Sequence, residues 1–84
     1  MKFFYVYVLR SLYYDFLYVG FTANLRKRFQ EHNHKEKLSA KHYASFELVH
    51  YEAYRNKKNA KRREEYLKTT KGKTTLKTML KKFF

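Results

Sequence analysis

The opening run Phe3-Phe4-Tyr5-Val6-Tyr7-Val8-Leu9 restricts the fold more than any other segment. Its side chains are aromatic, β-branched or leucine, uninterrupted by glycine or proline, and this predicts a strand. A strand sends alternate side chains to opposite faces, and here both sets are apolar. Both faces must be covered, so the strand belongs at the centre of a sheet. Leu17-Tyr18-Val19-Gly20 predicts a second short strand. The connection between them, with Asp15 as its clearest turn former, is too short for a crossover, so the two form an antiparallel hairpin. With the turn centred between Leu12 and Tyr13, Tyr7 falls opposite Tyr18, and cross-strand partners share a face.

Asn24 predicts the cap of a helix over about Leu25–His34, with Leu25 and Phe29 as its buried stripe and Arg28 beside it. Residues 33–45 read as a basic loop. Phe46–Tyr54 predicts a third strand, with Phe46, Leu48, His50 and Glu52 alternating against Val49, Tyr51 and Ala53. Asn56 predicts the cap of a helix over about Lys57–Thr69, and Gly72 a stop and restart. A last helix over about Lys73–Lys82 carries Leu76, Met79, Leu80 and Phe83 at helical spacing. The expected architecture is α+β: a small three-stranded antiparallel sheet flanked by helices, order β-β-α-β-α-α, as one domain over residues 1–84.

Charge narrows the function. The formal net charge is +13, from 20 Lys+Arg against 7 Asp+Glu. A domain this basic calls for a polyanionic partner, most often nucleic acid. From Arg55 onward there are 12 basic and 2 acidic residues, so the basic surface comes chiefly from the last third. With no cysteine in the chain, disulfides and thiolate metal sites are excluded, and any metal must use oxygen or imidazole ligands. The apolar start is interrupted by Arg10 without a small-residue cleavage site, and nothing is long enough to span a bilayer. A cytoplasmic location without membrane attachment is expected.

Four positions stand out against a purely structural pattern. On the helix after Asn56, Glu64 lies four residues from Ala60 and three from Leu67, in the stripe that faces the sheet. An unpaired carboxylate there would be costly to bury. The alternative is an ion pair with Lys68 on a solvated face, and spacing leaves both readings open. Gly20 is either a simple turn residue or a place where something approaches the backbone closely. Tyr7 and Tyr18 share a face, with Arg28 one helix later, although a strand tyrosine is usually a packing residue. His32, His34, His42 and His50 show no two-histidine metal spacing on one helix face, so they read as surface or phosphate contacts.

In this order the residues resemble a known family. Tyr5-Val6-Tyr7 followed by Tyr18-Val19-Gly20 is similar to the paired motif that names the GIY-YIG nucleases. The stretch from Thr22 to Asn33 resembles the family's first helix, with Arg28 at the place of its catalytic arginine. Arg63-Glu64-Glu65-Tyr66-Leu67-Lys68 resembles the helix that carries its metal-binding glutamate, with Glu64 at the matching position. The resemblance covers nearly the whole chain and is nearest to short standalone members related to the N-terminal nuclease domain of the bacterial nucleotide-excision-repair endonuclease. Departures are Tyr5 where the family name has glycine, Phe21 where some relatives are polar or basic, Ser45 where close relatives often have proline, and no C-terminal asparagine of the homing-endonuclease kind.

The resemblance implies a metal-dependent endonuclease acting on DNA more readily than RNA, in repair or recombination, with Mg²⁺ or Mn²⁺ as cofactor. It implies a catalytic set of Tyr7, Tyr18, Arg28 and Glu64: Tyr18 as general base on the attacking water, Tyr7 positioning water or phosphate, Arg28 on the non-bridging oxygens, and Glu64 holding the metal. The expected site lies on the exposed face of the sheet. The expected phosphate contacts are Arg26, Lys27, His32, Lys41, Lys57, Lys58, Lys61, Arg62, Lys68, Lys71 and Lys73. A chain this small leaves little room for a specificity module, so a protein partner or a second copy would supply one. A non-catalytic basic module that binds nucleic acid through charge and exposed aromatics is the alternative. A basic protein–protein adaptor is a weaker third.

Overall fold

Both faces of the first strand are covered, by different elements. A computed structural model of the chain describes residues 2–33 and 45–82. Its elements are β1 (Phe4–Ser11), β2 (Leu17–Thr22), α1 (Leu25–Asn33), β3 (Phe46–Tyr54), α2 (Lys57–Lys68) and α3 (Thr70–Met79). The sheet is antiparallel in the order β2-β1-β3, with β1 central, as its doubly apolar pattern requires. On one face, Val6 and Val8 join Leu17 and Val19 beneath Ala60, Leu67 and Leu76 of α2 and α3. On the other, Tyr7, Leu9 and Phe46 pack with Tyr18, Leu48 and the α1 residues Leu25 and Phe29. The α+β architecture and the order β-β-α-β-α-α are those expected.

Local signals set the helix starts. The Asn24 side chain accepts from the Lys27 backbone N–H at 3.1 Å. Asn56 accepts from Lys58 and Asn59 at 2.8 and 3.3 Å. Each answers donors that a helix N-terminus leaves open.

Three expectations are corrected. The hairpin register differs by two residues: Tyr7 pairs with Gly20, and Tyr18 with Leu9. The Ser11 hydroxyl accepts from the backbone N–H groups of Tyr13 and Tyr14, and the Ser11 N–H donates to the Phe16 carbonyl, which centres the turn later than Leu12–Tyr13. A slip of two preserves the face, so the tyrosines still meet, diagonally.

Strict alternation along β3 also fails. Val8 pairs with His50 but Leu9 pairs with Leu48, so Val49 is an extra residue against β1. This bulge turns Phe46 and Leu48 toward α1, while His50, Glu52 and Tyr54 face α2. Gly72, finally, is not the break between the last two helices. Thr69 closes α2 and opens α3, its hydroxyl accepting from the Gly72 N–H at 3.0 Å. Gly72 sits in the first turn of α3, where a Cβ would strike the backbone of Tyr66 and Leu67. The loop expected over 33–45 lies almost wholly outside the described residues.

Candidate functional site

Tyr7 organises one end of the cluster. It is fully buried, and its phenol lies across Gly20 on the neighbouring strand; a Cβ at Gly20 would collide with the ring and hydroxyl. Of the two readings of that glycine, close approach is the one observed, and the approaching group is a side chain. The Tyr18 ring stands 6.2 Å from that of Tyr7 at a 33° tilt. Arg28, on α1, acts on the Tyr7 phenol through its charge and hydrogen-bonding capacity, favouring the ionised form. It also pairs through Nε with Glu31 at 3.1 Å, one helical turn on.

Burial pushes the Tyr7 phenol far above its ordinary pKa, and the neighbouring Tyr18 and Glu64 add to the shift, while Arg28 works against it. Tyr7 is therefore a neutral hydrogen-bonding group over the ordinary pH range. The open sheet face expected for the site is not what forms: α1 packs over this side of the sheet, and Tyr7 has no solvent exposure.

Glu64 occupies the stripe between Ala60 and Leu67 and is only 7% exposed. It is buried and paired at once, so neither sequence reading holds alone. Lys68 Nζ lies 2.9 Å from one oxygen and Lys61 Nζ 3.1 Å from the other. Burial opposes ionisation, but the hydrogen bonds and charges of Lys68 and Lys61 outweigh it and hold the carboxyl below its usual pKa. Lys61 also lies 4.8 Å over the Phe21 ring, which ties this side of α2 to β2.

The chemistry of this donor set fits a hard cation that keeps most of its water. Among the described residues no three His, Cys, Asp or Glu side chains converge on a metal site. A single ionised carboxylate suits Mg²⁺ or Mn²⁺ sharing its remaining positions with water and phosphate oxygens. It does not suit an all-protein cage, and Lys61 and Lys68 already neutralise it in the absence of a cation.

The expected phosphate contacts fall into groups. Lys57, Lys61 and Lys68 follow one stripe of α2 with Glu64, whereas Lys58 and Arg62 are exposed on its outer surface. Arg26 and Lys27 are exposed on α1, as is Lys71 on α3, and Lys73 is half-buried. Lys41 and the side chain of His32 lie outside what is described.

A second polar cluster was not visible in the sequence. Arg63 forks onto Glu52, Nε to Oε1 at 2.9 Å and Nη2 to Oε2 at 3.1 Å. The Tyr54 hydroxyl donates to Glu52 at 2.7 Å, and His50 Nε2 lies 2.9 Å from its other oxygen. Burial resists ionisation, yet the Arg63, His50 and Tyr54 bonds bring Glu52 down to about 2. The cluster joins β3 to α2 one residue before Glu64. The β3 bulge aims His50, Glu52 and Tyr54 together, and a bulge leaves little local signal.

A three-stranded antiparallel sheet covered by helices on both faces, in the order β-β-α-β-α-α, is an α+β domain of the GIY-YIG type. The chain belongs to that family: the model of the GIY-YIG catalytic domain matches residues 3–78. Among solved structures, it is similar to a UPF0213 protein from Bacillus halodurans determined by solution NMR. The two share 27% identity with a TM-score of 0.58, over 92% of this chain and 84% of that one. No curated protein matches the chain.

Proposed function

We propose that the protein is a Mg²⁺- or Mn²⁺-dependent endonuclease that hydrolyses phosphodiester bonds in DNA, acting as one domain in the cytoplasm in repair or recombination. What supports this reading is the family match together with the Tyr7–Tyr18 pair, with Arg28 acting on the Tyr7 phenol, and the buried, ionised Glu64 carboxylate of α2. Glu64 would hold the metal, which when bound supplies charge neutralisation on the phosphoryl oxygens. Arg28 would turn its N–H groups to the non-bridging oxygens. Tyr7, buried and neutral, holds its proton, and its position in the family motif assigns its hydroxyl the part of positioning water or phosphate. Tyr18, half-buried beside it, is assigned the attacking water's proton by its position in the family motif.

The test is cleavage of supercoiled plasmid and labelled branched DNA with Mg²⁺ or Mn²⁺. The expected result is metal-dependent cleavage by the natural chain and a loss of at least about 100-fold for Glu64→Ala and Arg28→Ala, the scale of removing a transition-state charge contact. Equal cleavage by all three proteins would remove the assignment.

A specific observation favours a second reading. Lys61 and Lys68 already satisfy both oxygens of Glu64, as a purely structural ion pair would. In that case the protein binds nucleic acid without cutting it, and binding is salt-sensitive but indifferent to Mg²⁺. Cleavage under any divalent metal eliminates it.

A further inference from the structure

The β1–β2 turn exposes three large side chains in succession. Leu12, Tyr13 and Tyr14 are 52%, 73% and 47% exposed. Turns are usually made by Gly, Asn, Asp, Ser or Pro, each through its backbone preference or short polar side chain. Here Ser11 does that work, accepting from the N–H groups of Tyr13 and Tyr14, while the Leu12 N–H donates to the Ser45 carbonyl at 2.9 Å. The backbone of the turn is thus satisfied without the three large side chains that follow Ser11. Single exposed apolar residues need no explanation; three in succession make a contiguous exposed patch, the form an interaction surface takes.

These side chains border an open cleft of about 610 Å³ between the hairpin tip and the end of α3. Phe16 and Leu17 line its wall on the hairpin side, and Lys77 and Lys81, both exposed and four residues apart, line it on the other. Asp15 is the acidic residue at its margin, and Arg10, which also borders it, is paired with Glu47 at 3.6 Å. Aromatic surface facing two ammonium groups suits a ligand with a flat apolar face and an anion attached to it. That is the chemistry of a nucleotide whose base is not paired: stacking on tyrosine is tolerant of base identity, and lysine takes the phosphate. A blunt duplex keeps all but its two terminal base faces inside the stack and offers the aromatics far less.

We propose that this cleft docks unpaired nucleotides of single-stranded DNA, with bases stacked on Tyr13 and Tyr14 and phosphates at Lys77 and Lys81. The proposal rests on the reading of nucleic acid as partner. It names the class of ligand the cleft would take, DNA with unpaired nucleotides.

The experiment exploits the absence of tryptophan from the chain. Tyr13→Trp places one indole fluorophore at the most exposed position of the turn. It is titrated without metal against oligothymidine of about 12 nucleotides, within the span of single-strand sites, and against a blunt duplex of the same length. The expected result is quenching by oligothymidine and little by the duplex. The double variant Tyr13→Ala/Tyr14→Ala should bind oligothymidine about tenfold or more weakly, with duplex affinity changed less than about twofold. Lys77→Glu/Lys81→Glu should weaken the single strand more than the duplex and guards against a folding defect in the alanine variant. No quenching, or equal losses on both ligands, overturns the proposal. Selective quenching by a protein that cleaves nothing would sink the nuclease reading and leave this one standing. Cleavage without selective quenching would do the reverse.

Discussion

Tyr7 and Gly20 are one feature divided between two strands. The phenol needs the space that a side chain at position 20 would fill, and the cross-strand pairing places the two together. Gly20→Ala should therefore cost about 1–3 kcal/mol through overpacking, measured by urea unfolding. If activity is present, cleavage should fall by more than the unfolded fraction accounts for, because the displaced group is Tyr7 itself. An alanine variant of unchanged stability would show that the ring moves aside freely. The raised Tyr7 pKa has its own consequence. Its folded value lies above the ordinary value of 10.0, so the stabilising contribution is complete below pH 10 and is lost as pH rises beyond it. Tyr7→Phe should flatten the alkaline limb of a stability–pH curve while leaving the acid limb alone. At this scale the sequence showed which residues were unusual but not how they met. Gly20 stood out as either a simple turn residue or a place of close approach; that Tyr7 approaches it depends on a register fixed by Ser11, whose role in the turn has no motif of its own.

Elements are placed by contacts that local sequence reports unevenly. The caps at Asn24 and Asn56 were legible because each acts within three residues. The doubly apolar β1 was legible because burial on both faces leaves no polar alternation. The β3 bulge and the α2–α3 junction were not, since both depend on a partner element. Gly72 illustrates the difference. By helix propensity Gly72→Ala should stabilise by about 1 kcal/mol. Against the Tyr66 carbonyl and the Leu67 Cα, neither of which can rotate aside, the added Cβ should instead destabilise by about 1–3 kcal/mol. Thermal or urea unfolding reads the sign directly, and a gain in stability would mean that α3 shifts without cost. The Glu52–Arg63 fork tests the other attachment of α2. Glu52 is ionised down to about 2 from an ordinary 4.5, so its contribution is present above pH 4.5 and is lost as pH falls toward 2. The groups facing it are Arg63, His50 and Tyr54. Glu52→Gln should cost about 1.5–3 kcal/mol at neutral pH, the scale of hydrogen bonds to a charged group, and little near pH 2. A cost independent of pH would assign the loss to packing.

At the scale of the whole molecule, Glu64 sets a local exception to a strongly positive surface. The formal net charge of +13 makes association with any nucleic acid steeply salt-dependent, since each phosphate neutralised by a lysine or arginine releases bound counterions. Two of the lysines on the Glu64 side of α2 are not fully available for that exchange, because Lys61 and Lys68 are engaged by the carboxylate between them. Glu64→Gln removes the carboxylate charge while preserving the side chain's shape. Duplex DNA binding in the absence of metal should then strengthen, and the slope of log affinity against log salt should steepen by roughly 1–2, the equivalent of up to two added phosphate contacts. Under the proposed function the same substitution abolishes cleavage, so affinity and activity move in opposite directions. That divergence separates a metal-holding carboxylate from one that only secures α2. A structural Glu64 predicts reduced stability and weaker binding together, because the stripe that carries Lys57, Lys61 and Lys68 would lose its fixed position against β2. Anisotropy titrations at several salt concentrations, paired with urea unfolding of the same variant, distinguish the two.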